Sequence, residues 1–277
     1  MGFEGRRVIS FESRRAAEMA ELIRRQGGDV FSAPAMREVA AEASGASEFG
    51  ERLLSGGFDM MVLLTGVGAR ALRRALAERF SEERFVEALR SLAVVVRGPK
   101  PAAVLREWKV PIAAIAPEPN TWREVLAVTE GRPERRVAVQ EYGRPNPELV
   151  AGFEARGAKV TTVRVYQWDL PEDTAPLREA AHRIARSEVE FVLFTTSAQM
   201  LHLARIAAEE GIERPMTEGL RRMVVASIGP TTTETLEEYG IRPDFEPSHP
   251  KMGFLVQEVA ARAGELAARK STGSAHA

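Results

Sequence analysis

The amino-acid sequence predicts an α/β protein built from doubly wound parallel sheets. Short apolar runs rich in β-branched residues alternate with Ala-, Glu- and Arg-rich stretches that have helical spacing. Most of the runs are largely apolar instead of alternating with polar residues, which is typical of parallel strands covered by helices on both faces. A third observation is an internal repeat, in which four βα units recur in the same order.

The apolar runs and the stretches between them predict the order of the elements. The predicted strands are four to six residues long, as expected for a covered parallel sheet, and lie at residues 7–11, 60–64, 92–96, 112–115, 136–139, 190–194, 223–226 and 243–246. Helices are predicted between most of them, at 14–25, 68–79, 101–108, 147–156, 198–209, 231–239 and 252–269. The small, polar residues 271–277 are expected to be disordered.

The repeat leaves two domain layouts open. Gly98-Pro99-Lys100 matches Gly229-Pro230-Thr231 at a lag of 131 residues, and Val62–Thr65 matches Val192–Thr195 at a lag of 130. Two tandem domains would divide near residues 129–135, whereas a swapped layout would pack the first unit with the last three. Segments at 33–39 and 163–168 read as extended and could pair with each other in either case.

Composition excludes several classes of function. The 38 basic and 39 acidic residues give a net charge of −1, which provides no global basic field for nucleic acid or an acidic membrane. The absence of cysteine excludes disulfides, thiolate nucleophiles and thiolate metal sites. No apolar run is long enough to span a bilayer, so a soluble cytoplasmic protein is expected. The four histidines lack metal-ligand spacing, and no metal site is predicted.

Candidate binding residues follow the predicted strands, where parallel sheets bind their ligands. These turns contain small, hydroxylic or glycine residues whose backbone N–H groups, at helix starts, suit anions. Helix capping is the alternative for any one turn, but two matched sets favour a site for several anionic groups. The predicted substrate-binding residues are Arg14, Thr65, Gly66, Val67, Gly68, Arg97, Lys100, Tyr142, Gly143, Arg144, Thr196, Ser197, Ala198, Ser227, Gly229, Thr231 and Thr232.

Three of the segments together resemble the uroporphyrinogen-III synthase family. They are Ser227–Thr232 leading into a helix, Val165-Tyr166-Gln167 on a linking strand, and Thr65–Gly68, within a resemblance that covers about residues 6–262. The resemblance implies two flavodoxin-like lobes joined by a two-stranded β-ladder, and it selects the swapped layout. The implied bounds are 1–36 plus 169–265 for one lobe, 40–163 for the other, and 33–39 and 163–168 for the linker strands.

The resemblance also implies a function. Members of this family are lyases that close the linear tetrapyrrole hydroxymethylbilane to uroporphyrinogen III, with inversion of ring D and loss of water, in heme biosynthesis. It implies Tyr166 as the catalytic residue, no cofactor, and a monomer whose partner is its small-molecule substrate, without nucleic acid or membrane. Two alternatives stay open: a non-catalytic sensor of the same fold for a tetrapyrrole or another polyanion, and an unrelated two-lobed enzyme acting on a phosphorylated metabolite.

Overall fold

The chain passes twice between two folding units. The terminal unit comprises Met1–Arg37 and Asp169–Ala277, and the central unit comprises Glu38–Trp168. The computed structural model describes residues 2–40, 44–77, 79–141 and 145–273.

Helices separate most of the strands along the described residues, as the sequence predicts. The strands are β1 (Arg7–Ser10), β2 (Asp29–Ser32), β3 (Arg37–Ala40), β4 (Met60–Leu63), β5 (Ala93–Val96), β6 (Ala114–Ile115), β7 (Arg136–Gln140), β8 (Lys159–Val163), β9 (Tyr166–Asp169), β10 (Phe191–Phe194) and β11 (Val224–Ser227). The helices are α1 (Ala16–Arg25), α2 (Ser44–Leu54), α3 (Gly66–Ala77), α4 (Glu82–Arg90), α5 (Pro99–Glu107), α6 (Trp122–Val128), α7 (Pro147–Glu154), α8 (Ala175–Ala185), α9 (Ser197–Glu209), α10 (Glu213–Arg222), α11 (Pro230–Glu238), α12 (Met252–Ala261) and α13 (Ala263–Gly273). None of the described helices combines the length and the apolar character that crossing a bilayer requires.

Strands that correspond in the repeat lie in the same order in the two parallel sheets. In the terminal unit the order is β11-β10-β1-β2, and in the central unit it is β6-β5-β4-β7-β8. Phe245 bridges to Ala226 beside β11, which matches the pairing of Ala114 with Val95 in the central unit. β1 pairs on one side with β2, which follows it in the chain, and on the other side with β10 from the carboxyl-terminal half. The first unit of the repeat therefore packs with the last units, which is the swapped layout.

Apolar side chains on both faces of each sheet form its cores. Val8 belongs to one cluster of the terminal unit and Ile9 to the other. In the central unit, Met60 and Met61 divide in the same way. Neighbouring residues of a strand point to opposite faces, so a strand that is apolar throughout is buried from both sides. This confirms the covered parallel sheets that the sequence predicts.

β3 and β9 form a small antiparallel sheet where the chain passes between the units. The first linker strand is predicted to start at residue 33, but the backbone N–H groups of Ala33 and Ala35 still donate to the carbonyl oxygens of Ser10 and Phe11. Pairing with β9 therefore begins only at Arg37. On the second linker, Val163 remains in β8 as the partner of Gln140, so β9 begins three residues later than expected.

Further differences arise at the edges of the sheets and at the carboxyl terminus. The edge strands β2 and β8 were not predicted, because their residues are mostly polar or only partly buried. The predicted strand at 243–246 contributes a single bridge. The last predicted helix is interrupted at Arg262, and α13 then continues to Gly273, into the segment expected to be disordered. Lys270, which donates to the Arg221 carbonyl oxygen at 3.0 Å, holds α13 in place.

The packing of α10 against α8 requires a glycine. A Cβ at Gly219 would come within 2.0 Å of the Ile184 carbonyl oxygen, so the two helices would have to separate. We expect Gly219→Ala to lower the free energy of unfolding by about 1–3 kcal/mol, measured by urea denaturation. Gly264→Ala on α13 is the control, because a Cβ there meets no atom within 4 Å; it should be neutral or stabilising by up to about 1 kcal/mol. Equal stability of Gly219→Ala and the wild type would contradict this packing.

Candidate functional site

The predicted turns of the terminal unit meet at the carboxyl edge of its sheet. Phe194 pairs with Ser227 at the ends of β10 and β11, so the starts of α9 and α11 follow side by side. The Ser197 hydroxyl donates to the Thr231 carbonyl oxygen at 3.0 Å and ties the two helix starts together. The structure thus brings together Thr196, Ser197, Ala198, Gly229, Thr231 and Thr232, as parts of one edge.

Only some backbone amides at this edge lack a partner within their helix. The first N–H groups of a helix have no intrahelical acceptor, which applies to Ser197 and Ala198 of α9. In α11, Pro230 has no N–H, and the Thr232 N–H donates to the Gly229 carbonyl oxygen at 3.0 Å. Thr231 is therefore the first-turn donor of α11, so this helix start provides fewer donors than the sequence analysis assumed.

A buried glutamine fixes the turn before α9. Gln199 is 0% exposed, and its Oε1 accepts from the backbone N–H groups of Thr195 at 2.7 Å and Thr196 at 3.3 Å. Its Nε2 donates to Thr195 Oγ1 at 2.8 Å. Gln199 is not among the binding residues that the sequence predicts. A polar side chain in the first turn of a largely apolar helix was the available signal.

Ser227, predicted to contact the substrate, has a structural role in the turn instead. Its side chain is 0% exposed, and its hydroxyl donates to the Gly229 carbonyl oxygen at 3.0 Å and accepts from the Gly229 N–H at 3.3 Å. Gly229 itself has an extended backbone, with φ 161° and ψ 179°. Ser227 therefore shapes the turn that places Gly229 at the start of α11.

A carboxylate lies at the same edge, after β1. Glu12 Oε2 accepts from the Thr195 hydroxyl at 2.7 Å, and Oε1 accepts from the backbone N–H of Arg15 at 3.2 Å. Arg14, the predicted binding residue of this turn, is exposed in the structure. Glu12 was not selected, because its contact with Thr195 depends on strands that are 183 residues apart.

The central unit has a comparable edge at the start of α3. The Gly68 N–H donates to Thr65 Oγ1 at 2.9 Å, and Gln140 Oε1 accepts from the Thr65 N–H at 3.4 Å. A Cβ at Gly68 would lie 2.0 Å from the Gln140 amide nitrogen, so a glycine is required against this fully buried side chain. Gly66 and Val67 are left as the first-turn donors of α3.

The start of α5 offers fewer backbone donors than its position after a strand predicts. Pro99 and Pro101 occupy its first turn and have no N–H, so Lys100 supplies the amide there, together with an exposed side chain. A Cβ at Gly66 would come within 2.9 Å of the Lys100 carbonyl oxygen, which shows that the starts of α3 and α5 are adjacent. Arg97, partly exposed, ends the neighbouring strand, and its N–H donates to the Leu63 carbonyl oxygen at 3.1 Å.

Four of the predicted residues cannot be placed in full. Tyr142, Gly143 and Arg144 lie outside the described residues. Tyr166 is the first residue of β9, and its side chain is likewise outside the described part of the chain. Their assignments remain predictions. Among the described residues, no group of three or more His, Asp or Glu side chains is arranged to hold a metal ion.

Glu141 is a buried carboxyl group beside this edge of the central unit. It is 4% exposed, and its Oε2 lies 3.4 Å from Nε of Arg164, which precedes the linking strand β9 by two residues. Burial raises the pKa of Glu141 above its ordinary value, although Arg164 and the backbone N–H of Asn146 both act to lower it. Desolvation therefore outweighs the ion pair.

The raised pKa of Glu141 predicts a pH-dependent contribution to stability. Folding favours the protonated carboxyl, so its contribution is fully present below the ordinary value of 4.5 and is lost as the pH rises through the folded pKa. As the pH rises through the folded pKa, we expect the free energy of unfolding of the wild type to fall relative to that of Glu141→Gln. Below the ordinary value of 4.5 the difference between the two free energies should be constant. Urea denaturation at intervals from about pH 4 to about pH 8 measures it. A relative loss on acidification instead would contradict the assigned direction.

The chain matches a protein family and two curated relatives. The family pattern described as uroporphyrinogen-III synthase HemD matches residues 17–257. A putative uroporphyrinogen-III synthase of Methanothermobacter thermautotrophicus is 29% identical over 229 residues, covering 82% of this chain and 87% of that protein. YjjA of Bacillus subtilis, described as an uncharacterized protein, is 26% identical over 262 residues, covering 94% of this chain and 96% of that protein.

Solved structures share the fold. A mutant uroporphyrinogen III synthase of Thermus thermophilus superposes with a TM-score of 0.72 at 23% identity, covering 96% of this chain and all (100%) of that one. The uroporphyrinogen-III synthetase of Helicobacter pylori gives a TM-score of 0.52 at 14% identity, covering 92% and 98%. At these identities the structures establish the fold, and the family pattern spans most of the sequence. This chain therefore belongs to the uroporphyrinogen-III synthase family.

Proposed function

We propose that this protein is a uroporphyrinogen-III synthase, which closes hydroxymethylbilane to uroporphyrinogen III with inversion of ring D and release of water. Membership of the family supports the proposal. The observation that carries it is the set of helix starts at the carboxyl edge of each sheet, with first-turn amides at Gly66, Val67, Ser197, Ala198 and Thr231.

These edges suit a polyanionic substrate. Hydroxymethylbilane carries eight carboxylates, and backbone N–H groups at helix starts bind anions through unpaired donors and the helix dipole. Arg14, Arg97 and Lys100 add positive charge at the same edges. Such local donors bind a multiply charged ligand although the whole protein has a net charge of −1.

The reaction requires control of conformation. Unassisted closure of the linear tetrapyrrole gives the type I isomer, so the enzyme must hold the chain in the geometry that leads to ring D inversion. The leaving hydroxide needs a proton, and we assign Tyr166 to donate it or to position the substrate. Closure with loss of water changes no oxidation state overall, so the proposed reaction needs no redox cofactor.

The experiment that tests this function separates the two product isomers. Purified protein is supplied with enzymatically generated hydroxymethylbilane, and the oxidised products are resolved by chromatography. Type III isomer in excess of a protein-free control supports synthase activity. Type I isomer alone contradicts it; in that case, tight binding of uroporphyrinogen III would indicate a sensor of the same fold, and no binding would indicate a different ligand.

Tyr166→Phe is expected to slow turnover while the protein stays folded. A phenol is a weak acid, so we expect a loss on the order of tenfold, below the usual range for general acids. Single-turnover formation of the type III isomer measures the effect, and urea denaturation of the variant controls for folding. An unchanged single-turnover rate would remove Tyr166 from the mechanism.

Gly229→Val is expected to weaken substrate binding with little change in stability. A Cβ at this position meets only Pro250 Cβ, at 3.4 Å, and the extended backbone suits a β-branched residue. The added methyl groups would occupy space at the start of α11, where we place a substrate carboxylate. We expect KM to rise by roughly tenfold, equivalent to about 1.4 kcal/mol of binding free energy. An unaltered KM in a folded variant would contradict this placement.

A further inference from the structure

Strand register places Glu12 among the substrate-binding turns. Ser10 pairs with Leu193, so Glu12 and Thr195 each lie two residues beyond the paired positions, at the carboxyl edge of the sheet. The 2.7 Å hydrogen bond from the Thr195 hydroxyl to Glu12 Oε2 joins them. Thr195 is next to Thr196–Ala198, the turn that begins α9.

Two uncharged donors hold the Glu12 carboxylate. They are the Thr195 hydroxyl and the Arg15 backbone N–H. The Arg15 guanidinium binds Glu18 instead, through Nε at 2.6 Å and through a second nitrogen. The two hydrogen bonds orient the carboxylate, and Glu12 as a residue is partly exposed.

Helix capping explains only half of this arrangement. Oε1 satisfies the N–H at the start of α1, as acidic residues near helix starts commonly do. Oε2 is turned to Thr195, which belongs to a turn that we assign to a substrate carboxylate. A negative charge there repels such a ligand unless the nearest ligand group is cationic or donates a hydrogen bond.

The proposed substrate offers both kinds of group. Each pyrrole ring carries an N–H donor. When the hydroxymethyl C–O bond breaks, the electron pair leaves with the oxygen, which takes a proton from solvent and departs as water. The ring nitrogen shares its lone pair with the exocyclic carbon, forming a conjugated cation that keeps its N–H. A carboxylate beside that nitrogen stabilises the charge as it develops.

We propose that Glu12 is a catalytic residue of the terminal unit, whose carboxylate accepts a hydrogen bond from the N–H of a substrate pyrrole ring and stabilises the cation formed when water leaves. This assignment rests on the proposed synthase function. It adds to that function a partner for the ring nitrogens of the substrate, whereas the first-turn amides bind only its carboxylates.

Glu12→Gln tests the proposal, because glutamine keeps the shape and one acceptor for Thr195 or Arg15 but removes the charge. We expect kcat for type III formation to fall on the order of 10²-fold, with a smaller change in KM. Glu18→Gln, which removes a carboxylate from the first turn of α1, the helix that follows Glu12, is the matched control and should retain wild-type kcat. Urea denaturation of both variants checks that each is folded.

The possible outcomes separate this proposal from the synthase assignment. Wild-type kcat in a folded Glu12→Gln variant would overturn the role of Glu12 while leaving the synthase function intact. If the wild type makes no type III isomer, the synthase function is wrong. The contact between Glu12 and a pyrrole N–H is then tested by the affinity for uroporphyrinogen III, which retains its pyrrole N–H groups. Affinity weakened by roughly tenfold in Glu12→Gln alone would support the contact, and equal affinity of the variant and the wild type would overturn it.

Discussion

The pairing of β1 with β10 is the contact on which the terminal unit depends. It joins a strand near the amino terminus to one that follows more than half of the chain, in the register Ser10 to Leu193. Val8, Ile9 and Phe11 are each 0% exposed, and burial of side chains of this size contributes about 1.5–3 kcal/mol each. The same register brings Glu12 to Thr195, so one strand pairing supports both the core and the candidate site.

Local constraints then determine which backbone groups can meet a ligand. Gln199 and Gln140, both fully buried, bind the backbone of the turns that precede α9 and α3. The prolines at the starts of α5 and α11 remove donors from those turns. Each edge therefore offers the proposed substrate a few first-turn amides and nearby cationic side chains, rather than donors from every turn that follows a strand.

Local sequence patterns predicted the buried parts of this fold well. Apolar runs such as Met60–Leu64 and Glu190–Phe194 located central strands to within a residue, because burial on both faces demands a continuous apolar run. The edge strands β2 and β8 lack that signal. The repeat predicted the two like-built sheets, but the pairing partner of β1 depends on tertiary packing, which the periodicity alone left open.

The candidate site was predicted less completely, for a related reason. The small residues after the strands lie together at the carboxyl edge of each sheet, since topology places all carboxyl ends of parallel strands on one side. Burial of Ser227 and loss of the Thr232 and Gly68 amides to internal hydrogen bonds follow from turn geometry, which composition does not specify. The proposed role of Glu12 depends on its hydrogen bond with Thr195, which is far away in the sequence.

The proposed function requires first-turn amides at the carboxyl edge of each sheet to bind carboxylates of the tetrapyrrole. This binding can be measured by titration with uroporphyrinogen III under anaerobic conditions, followed through the backbone amide resonances of isotopically labelled protein. We expect the largest shifts at Gly66, Val67, Lys100, Ser197, Ala198 and Thr231. Shifts confined to the opposite ends of the strands, or binding that leaves these amides unperturbed, would contradict it.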